Sequence, residues 1–162
     1  MKLGSLIVSA GMLAALGGQA WAASEKLKQD PAIERGRYVV RTSGCNDCHT
    51  PRYAEKGGNV PEGQWLTGDA LGWRGPWGTT YPPNLRLYMQ GLSESEWLAK
   101  ARTLSTRPPM PWFSVRAMSD SDLRALYRYV RHLGPAGEPA PAYVAPSGAP
   151  SQPYVQFPMP AQ

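Results

Sequence analysis

The stretch that decides the reading is Gly44-Cys45-Asn46-Asp47-Cys48-His49-Thr50-Pro51. Two thiols three positions apart, followed at once by an imidazole, suit covalent attachment of one haem. Cys45 and Cys48 reach its two vinyl groups as thioethers, and His49 lies beneath the iron as an axial ligand. A thioredoxin-like redox pair also uses Cys-x-x-Cys, but it belongs in a βαβ setting, and nothing here predicts parallel strands. Half a zinc site is the other reading. The chain holds 2 Cys and 2 His, His49 and His132, so the remaining ligands of a four-coordinate zinc are missing. The same count rules out a multi-bridge secreted scaffold and disfavours a two-metal enzyme.

Outward from this motif, capping signals predict three helices. Asp30-Pro31 reads as an N-cap followed by an N1 proline, and Gly44 is a C-terminal stop, which brackets a first helix over 31–43 with Ile33, Gly36 and Val40 on its apolar face. A second begins at Ser93. Its hydroxyl caps, Glu96 returns the capping-box bond, Leu92 and Trp97 form a hydrophobic staple, and the helix runs to about residue 104. The third begins at Ser119, carries Leu123, Leu126, Tyr127, Val130 and Leu133 at helical spacing, and stops at Gly134-Pro135.

The 162 residues fit one module with tails, and 17 Gly plus 17 Pro predict long irregular stretches. Residues 50–91 carry eight glycines among Trp65, Trp73, Trp77 and Tyr81 with no sustained period. Such a loop is too aromatic for a linker and too long to float free, so it is expected to cover something. From Gly134 onward eight prolines fall in 29 residues, which forbids helix or central strand and favours extended chain. Tyr143, Val144, Tyr154, Val155 and Phe157 suggest that this tail lies against the domain; a flexible linker to a partner is the alternative.

Lys2, an apolar run over 3–16, and Ala20-Trp21-Ala22 read as an export signal cleaved after Ala22. This divides the chain into a signal peptide (1–22), a helical domain (23–134) and a Pro-rich tail (135–162), and places the mature protein in a bacterial periplasm. An uncleaved membrane anchor is the alternative, since 3–23 approaches the roughly 20 residues a span needs. Residues 23–96 hold nine charges of each sign, whereas 97–162 hold seven Lys or Arg against Asp120, Asp122 and Glu138. The later half therefore carries the basic excess, either as a solvated helix face or as a docking surface for an acidic partner. No basic run points to nucleic acid.

The opposite side of the iron needs a ligand, and the candidates are Met89, Met110, Met118, Met159 and His132. Met118 precedes the Ser119 cap and stands in staple geometry to Leu123. Met89 lies among Leu85, Leu87 and Leu92 as core filler. His132 sits in the last turn of the third helix, where it serves the terminal carbonyls. Met159 is also flanked by prolines, Pro158 and Pro160, but lies in the tail. Met110 differs, because Pro108-Pro109-Met110-Pro111 fixes the backbone and leaves no helix to absorb the side chain. A sulphur on a rigid loop loses little entropy on binding iron, so Met110 is the expected sixth ligand.

With these motifs in place, the chain resembles the class I c-type cytochromes, and more narrowly the exported single-haem cytochrome c subunits that accompany bacterial alcohol and related quinoprotein or flavoprotein dehydrogenases. The motifs are Gly36-Arg37-Tyr38, Cys45 to Pro51, Tyr81-Pro82-Pro83-Asn84-Leu85, Met110-Pro111, and Met118-Ser119-Asp120 leading into the third helix. The resemblance implies an all-α cytochrome c fold of three core helices around one covalent haem c. It also implies that Gly36 crosses the last helix near Tyr129 and that the carbonyl near Pro83 accepts a bond from the His49 imidazole. It departs from the family in a loop much longer than in the smallest members, and in one attachment motif where dehydrogenase subunits often carry three. The expected role is one-electron transfer by an iron held between His49 and Met110, from a periplasmic dehydrogenase to an oxidase or second cytochrome. A five-coordinate haem protein that binds a small gas, or a peroxidase, is the competing class.

Overall fold

Asp30 starts the first helix by accepting from the Ala32 amide at 2.8 Å, with Pro31 at N1. The computed structural model describes residues 30–159, so the expected export signal lies outside the described residues. In chain order the elements are α1 (Pro31–Thr42), α2 (Cys45–His49), a 3-10 turn (Glu62–Gln64), β1 (Gly72–Gly75), β2 (Gly78–Thr80), α3 (Leu85–Gln90), α4 (Glu94–Thr103), α5 (Trp112–Ala117), α6 (Asp120–Leu133) and β3 (Tyr154–Gln156).

The three helices expected from the sequence are α1, α4 and α6. In α4 the full capping box forms: Ser93 Oγ accepts from the Glu96 amide at 3.3 Å and Glu96 accepts from the Ser93 amide at 2.8 Å. Trp97 is buried one turn on and donates from Nε1 to the Leu123 carbonyl at 2.9 Å, which fastens α4 to α6. Ser119 caps α6 through the Asp122 amide, and Met118 before it packs on the core that contains Leu123.

Helix α1 crosses α6 at Gly36. A Cβ there would lie 2.1 Å from the Ala125 carbonyl oxygen and 2.5 Å from Tyr129 Cβ, so only hydrogen fits. Val40, Leu123, Leu126, Tyr129 and Val130 are buried around this crossing. Met89 joins the same core as filler. Glu62 ties the crossing together from one side, accepting from the Tyr129 hydroxyl at 2.6 Å and from Arg37 at 3.0 Å.

The helical class holds, with one addition that the sequence reading did not anticipate: a small sheet in the order β2-β1-β3. Strands β1 and β2 form an antiparallel hairpin across Pro76-Trp77, pairing Gly75 with Gly78 and Trp73 with Thr80. The Pro-rich tail returns as β3, parallel to β1, pairing Trp73 with Val155. As an edge strand it tolerates the flanking prolines. Before that, Val144 bridges Thr79 through bonds of 2.8 and 3.0 Å. This bridge needs glycine next to it, since Gly78 has φ 95° and a Cβ would meet the Val144 carbonyl oxygen at 2.4 Å. Phe157 packs its ring against Trp73 and Trp77.

One buried charge holds the end of α6. The Arg86 guanidinium donates to the carbonyls of Leu133 and, at 2.5 Å, Gly134, acceptors that the end of α6 leaves open, and to the Gly63 carbonyl of the 3-10 turn at 2.7 Å. Among the described residues no helix is long and apolar enough to cross a membrane.

Candidate functional site

Gly44, in the left-handed region, turns the chain from α1 into the single turn of α2 that carries the cysteine motif. Cys45 and Cys48 are unbridged thiols on this turn. Burial pushes the Cys45 thiol up to about 11 and also raises Cys48, with Asp47 adding to both. This is the opposite direction from the lowered thiol of a thiol-disulfide catalyst. The zinc reading fares no better: among the described residues no cluster of His, Cys, Asp and Glu could hold a metal ion.

His49 is buried, and its Nδ1 lies 2.9 Å from the Pro83 carbonyl oxygen. A carbonyl only accepts, so Nδ1 carries the proton and Nε2 keeps its lone pair. Burial lowers the imidazole pKa, and the Pro83 carbonyl opposes this in part. The ring is thereby held neutral, in one tautomer and one orientation, as a metal-ligating histidine requires.

The long loop returns behind the motif. The Gly68 amide donates to the His49 carbonyl at 2.8 Å, and the Leu66 amide donates to Thr50 Oγ1 at 2.8 Å, which itself donates to Asn46 Oδ1. Leu66 is fully buried with φ 60°, a strained value for a side chain of its size, and its carbonyl accepts from the Leu85 amide. Thus Leu66 stitches the motif to the Pro83 segment. Asn84 fixes that segment from the other side: Oδ1 accepts from the Leu87 amide at 3.0 Å, and Nδ2 donates to the Ala136 and Glu138 carbonyls. Sequence reasoning missed Leu66, Asn84 and Arg86 as supports; only the Pro-Asn-Leu match hinted at one of them.

The other candidates for the second axial position are spread out. Met110 is partly buried on the irregular segment between α4 and α5. Met89 and Met118 belong to the core or pack on it, Met159 is exposed, and His132 is exposed in the last turn of α6.

The donor set fits a haem. It offers one oriented imidazole with a free Nε2 and two unbridged thiols on one helical turn. Among the described residues three buried polar atoms, Asn46 Nδ2, Trp73 Nε1 and Thr79 Oγ1, also have no partner in the protein. Buried donors left alone cost about 1–3 kcal/mol each, and of the three only Asn46 lies in the motif itself, between Cys45 and Cys48.

Compared with known families, residues 33–134 match the cytochrome c model. The chain belongs to the cytochrome c family. A cytochrome c carries covalent haem c with its iron and transfers electrons rather than transforming a substrate. Two curated relatives are similar to this cytochrome c. The fructose dehydrogenase cytochrome subunit of Gluconobacter japonicus is 29% identical over 122 residues, covering 68% of this chain and 23% of that protein. A nicotinate dehydrogenase subunit of Pseudomonas putida is 29% identical over 120 residues, covering 68% of this chain and 9% of that protein. The chain therefore spans a small part of either relative. No solved structure matches it.

Proposed function

We propose that this cytochrome c is a periplasmic one-electron carrier whose iron is held by His49 and Met110 and whose haem is bound through Cys45 and Cys48. Its donor is a dehydrogenase and its acceptor an oxidase or a second cytochrome. The observation that carries this reading is the bond from His49 Nδ1 to the Pro83 carbonyl at 2.9 Å, which leaves Nε2 as the one ligating atom of a buried, neutral ring. Bound there, the haem supplies a single iron that alternates between ferric and ferrous states.

The chain's part is to keep the ligands unchanged in both states. His49 is fixed by Pro83, and α2 is fixed by Thr50, Leu66 and Gly68. Met110 sits where prolines at 108, 109 and 111 restrict the backbone, so a thioether there needs little rearrangement as the iron changes charge. Thioether ligation favours the ferrous state and raises the potential.

The relatives' names support a dehydrogenase as donor. Charge supports a partner with an acidic face. Glu94 takes up Arg124 and Arg128, and Asp120 takes up Arg102, whereas Arg107 and Arg116 form no ion pair among the described residues. These two arginines bracket the Met110 segment in sequence.

Replacing Met110 by Ala is the decisive test. The ferric protein is expected to lose its weak far-red iron–sulphur absorption and to show a lower potential, while Met118→Leu keeps both. Loss of the band in the Met118 variant, with Met110→Ala unchanged, reverses the assignment. Extraction with acid acetone is expected to leave the haem on the chain, and haem in the extract refutes the thioether bonds.

A further inference from the structure

Residues 104–111 join α4 to α5 without helix or strand of their own. Three of the four positions 108–111 are proline and have no amide hydrogen to donate. Among the described residues, one hydrogen bond links this segment to a part of the chain distant in sequence: Thr80 Oγ1 donates to the Pro108 carbonyl at 2.9 Å. A second contact comes from the tail. The Arg107 guanidinium lies over the Tyr143 ring, 3.9 Å from its centroid. The segment is thus held from outside, at two successive residues, by two anchors.

Both anchors belong to one body. Thr80 ends β2 opposite Trp73. Tyr143 donates its hydroxyl to the Trp77 carbonyl at 2.8 Å, in the turn of the same hairpin, and its neighbour Val144 makes both backbone bonds to Thr79. Farther on, Arg74 donates to the Gly148 carbonyl and β3 pairs with β1. The Pro-rich tail is therefore fastened to the hairpin from Tyr143 onward, while the stretch before it is held at the Ala136 and Glu138 carbonyls by Asn84. Residue 143 also lies beyond the stretch that matches the family, 33–134, so this anchor is an addition made by the tail.

We propose that Tyr143 and Thr80 are positioning residues for Met110, and that the tail is a strap which keeps the sixth ligand from leaving the iron. This rests on Met110 being that ligand. Tyr143 acts through the Arg107 guanidinium and Thr80 through the Pro108 carbonyl, one to three residues before the sulphur. A methionine on a segment tied this way opens rarely, so an outside ligand enters slowly. An untied segment opens more often by the equilibrium cost of the lost contacts.

The test uses the full-length ferric holoprotein and the rate at which it takes up imidazole, which enters only when the sulphur has left. Tyr143→Ala is expected to raise that rate about two- to fivefold, the value of an exposed cation–π contact. Thr80→Val, which keeps the shape and removes the donor, is expected to raise it about two- to tenfold. Tyr143→Phe keeps the ring for Arg107 and is expected to stay nearer the parent. Because the opened state stays a minor population, the far-red band and helical circular dichroism are expected to stay near the parent values while the uptake rate rises. A parent rate in both Tyr143→Ala and Thr80→Val, with Met110→Ala fast, overturns the strap and leaves the ligand standing. A Met110→Ala variant with the parent's band and rate overturns the ligand assignment, and the strap with it.

Discussion

His49 donates from Nδ1 to the carbonyl oxygen of Pro83, a residue 34 positions away, at 2.9 Å. The acceptor is backbone, so its position depends on what holds residues 83–85: the Leu66 carbonyl on one side and the Asn84 side chain on the other. The Asn84 side chain caps α3 through the Leu87 amide and reaches the Ala136 and Glu138 carbonyls. Asn84→Ala removes the cap and strips both carbonyls of their donor, for a combined loss of about 2 kcal/mol in guanidinium unfolding. A loosened Pro83 carbonyl also makes the His49 ring less basic, which disfavours the ferric state and raises the potential in a redox titration. A variant as stable as the parent would show that neither the cap nor the tail bonds carry weight.

At the crossing of α1 and α6 the backbones themselves touch. A methyl group on Gly36 would stand 2.1 Å from the Ala125 carbonyl oxygen, which cannot swing aside as a side chain would. Gly36→Ala is therefore expected to cost at least the upper end of overpacking, about 3 kcal/mol, and to lower the yield of folded holoprotein. Equilibrium urea unfolding of the holoprotein measures it, and a change below about 1 kcal/mol would mean that the helices separate freely.

These two sites differ in how readily they could be read from the sequence. The boundaries of α1, α4 and α6 rest on caps within four residues, Asp30, Ser93 and Ser119, and such local chemistry survives in a sequence. The cysteine motif is legible for the same reason, since five consecutive residues state its chemistry. Pairing of Trp73 with Val155 joins positions 82 apart, inside a tail whose prolines argue against any central strand. The hairpin did have a signal, the two residues Pro76-Trp77 between Gly75 and Gly78 followed by β-branched Thr79 and Thr80. It was submerged in a glycine-rich loop. Helices α3 and α5 have six residues each, too few to show a period, and Pro111 gives α5 no side-chain cap. Met110 was singled out by its prolines, but the contacts that tie its segment come from residues 80 and 143 and leave no local trace.

Acid should undo a specific part of this fold. Hydrogen bonds from Arg128 and then Arg124 hold the Glu94 carboxyl below its ordinary range, joining α4 to α6. A folded pKa below the unfolded one contributes stability above the unfolded value, about 4.3 for glutamate, and loses it as pH falls through the folded value. Stability of the holoprotein is thus expected to decline as pH falls below about 4. Glu94→Gln is expected to cost no more than about 1 kcal/mol at pH 7, because the arginines are about half exposed. Its unfolding midpoints, followed from pH 7 downward, should fall less steeply than the parent's. Parallel profiles would remove Glu94 from the account.

Of the seven basic residues after position 96, Arg102 pairs with Asp120, and Arg124 and Arg128 share the one carboxylate of Glu94. Arg107 lies over the Tyr143 ring and Arg116 over the Trp112 ring at 5.3 Å, so both guanidiniums are stacked at the surface with their charge uncompensated. Phe113, 62% exposed, stands beside Trp112 and gives the same stretch an apolar contact. An acidic partner would be drawn to this stretch before touching it, and the attraction should fade as salt shortens the screening length to about 8 Å near physiological strength. A carrier has to leave again, so a small, brief contact suffices. Stopped-flow reduction by a purified dehydrogenase partner is therefore expected to slow steeply with ionic strength, and reversal of Arg107 and Arg116 to Glu to slow it further and flatten the salt dependence. Because Arg107 also serves the Tyr143 contact, Arg116→Glu alone must reproduce the effect. A rate indifferent to salt and to the Arg116 reversal would reject docking at this surface.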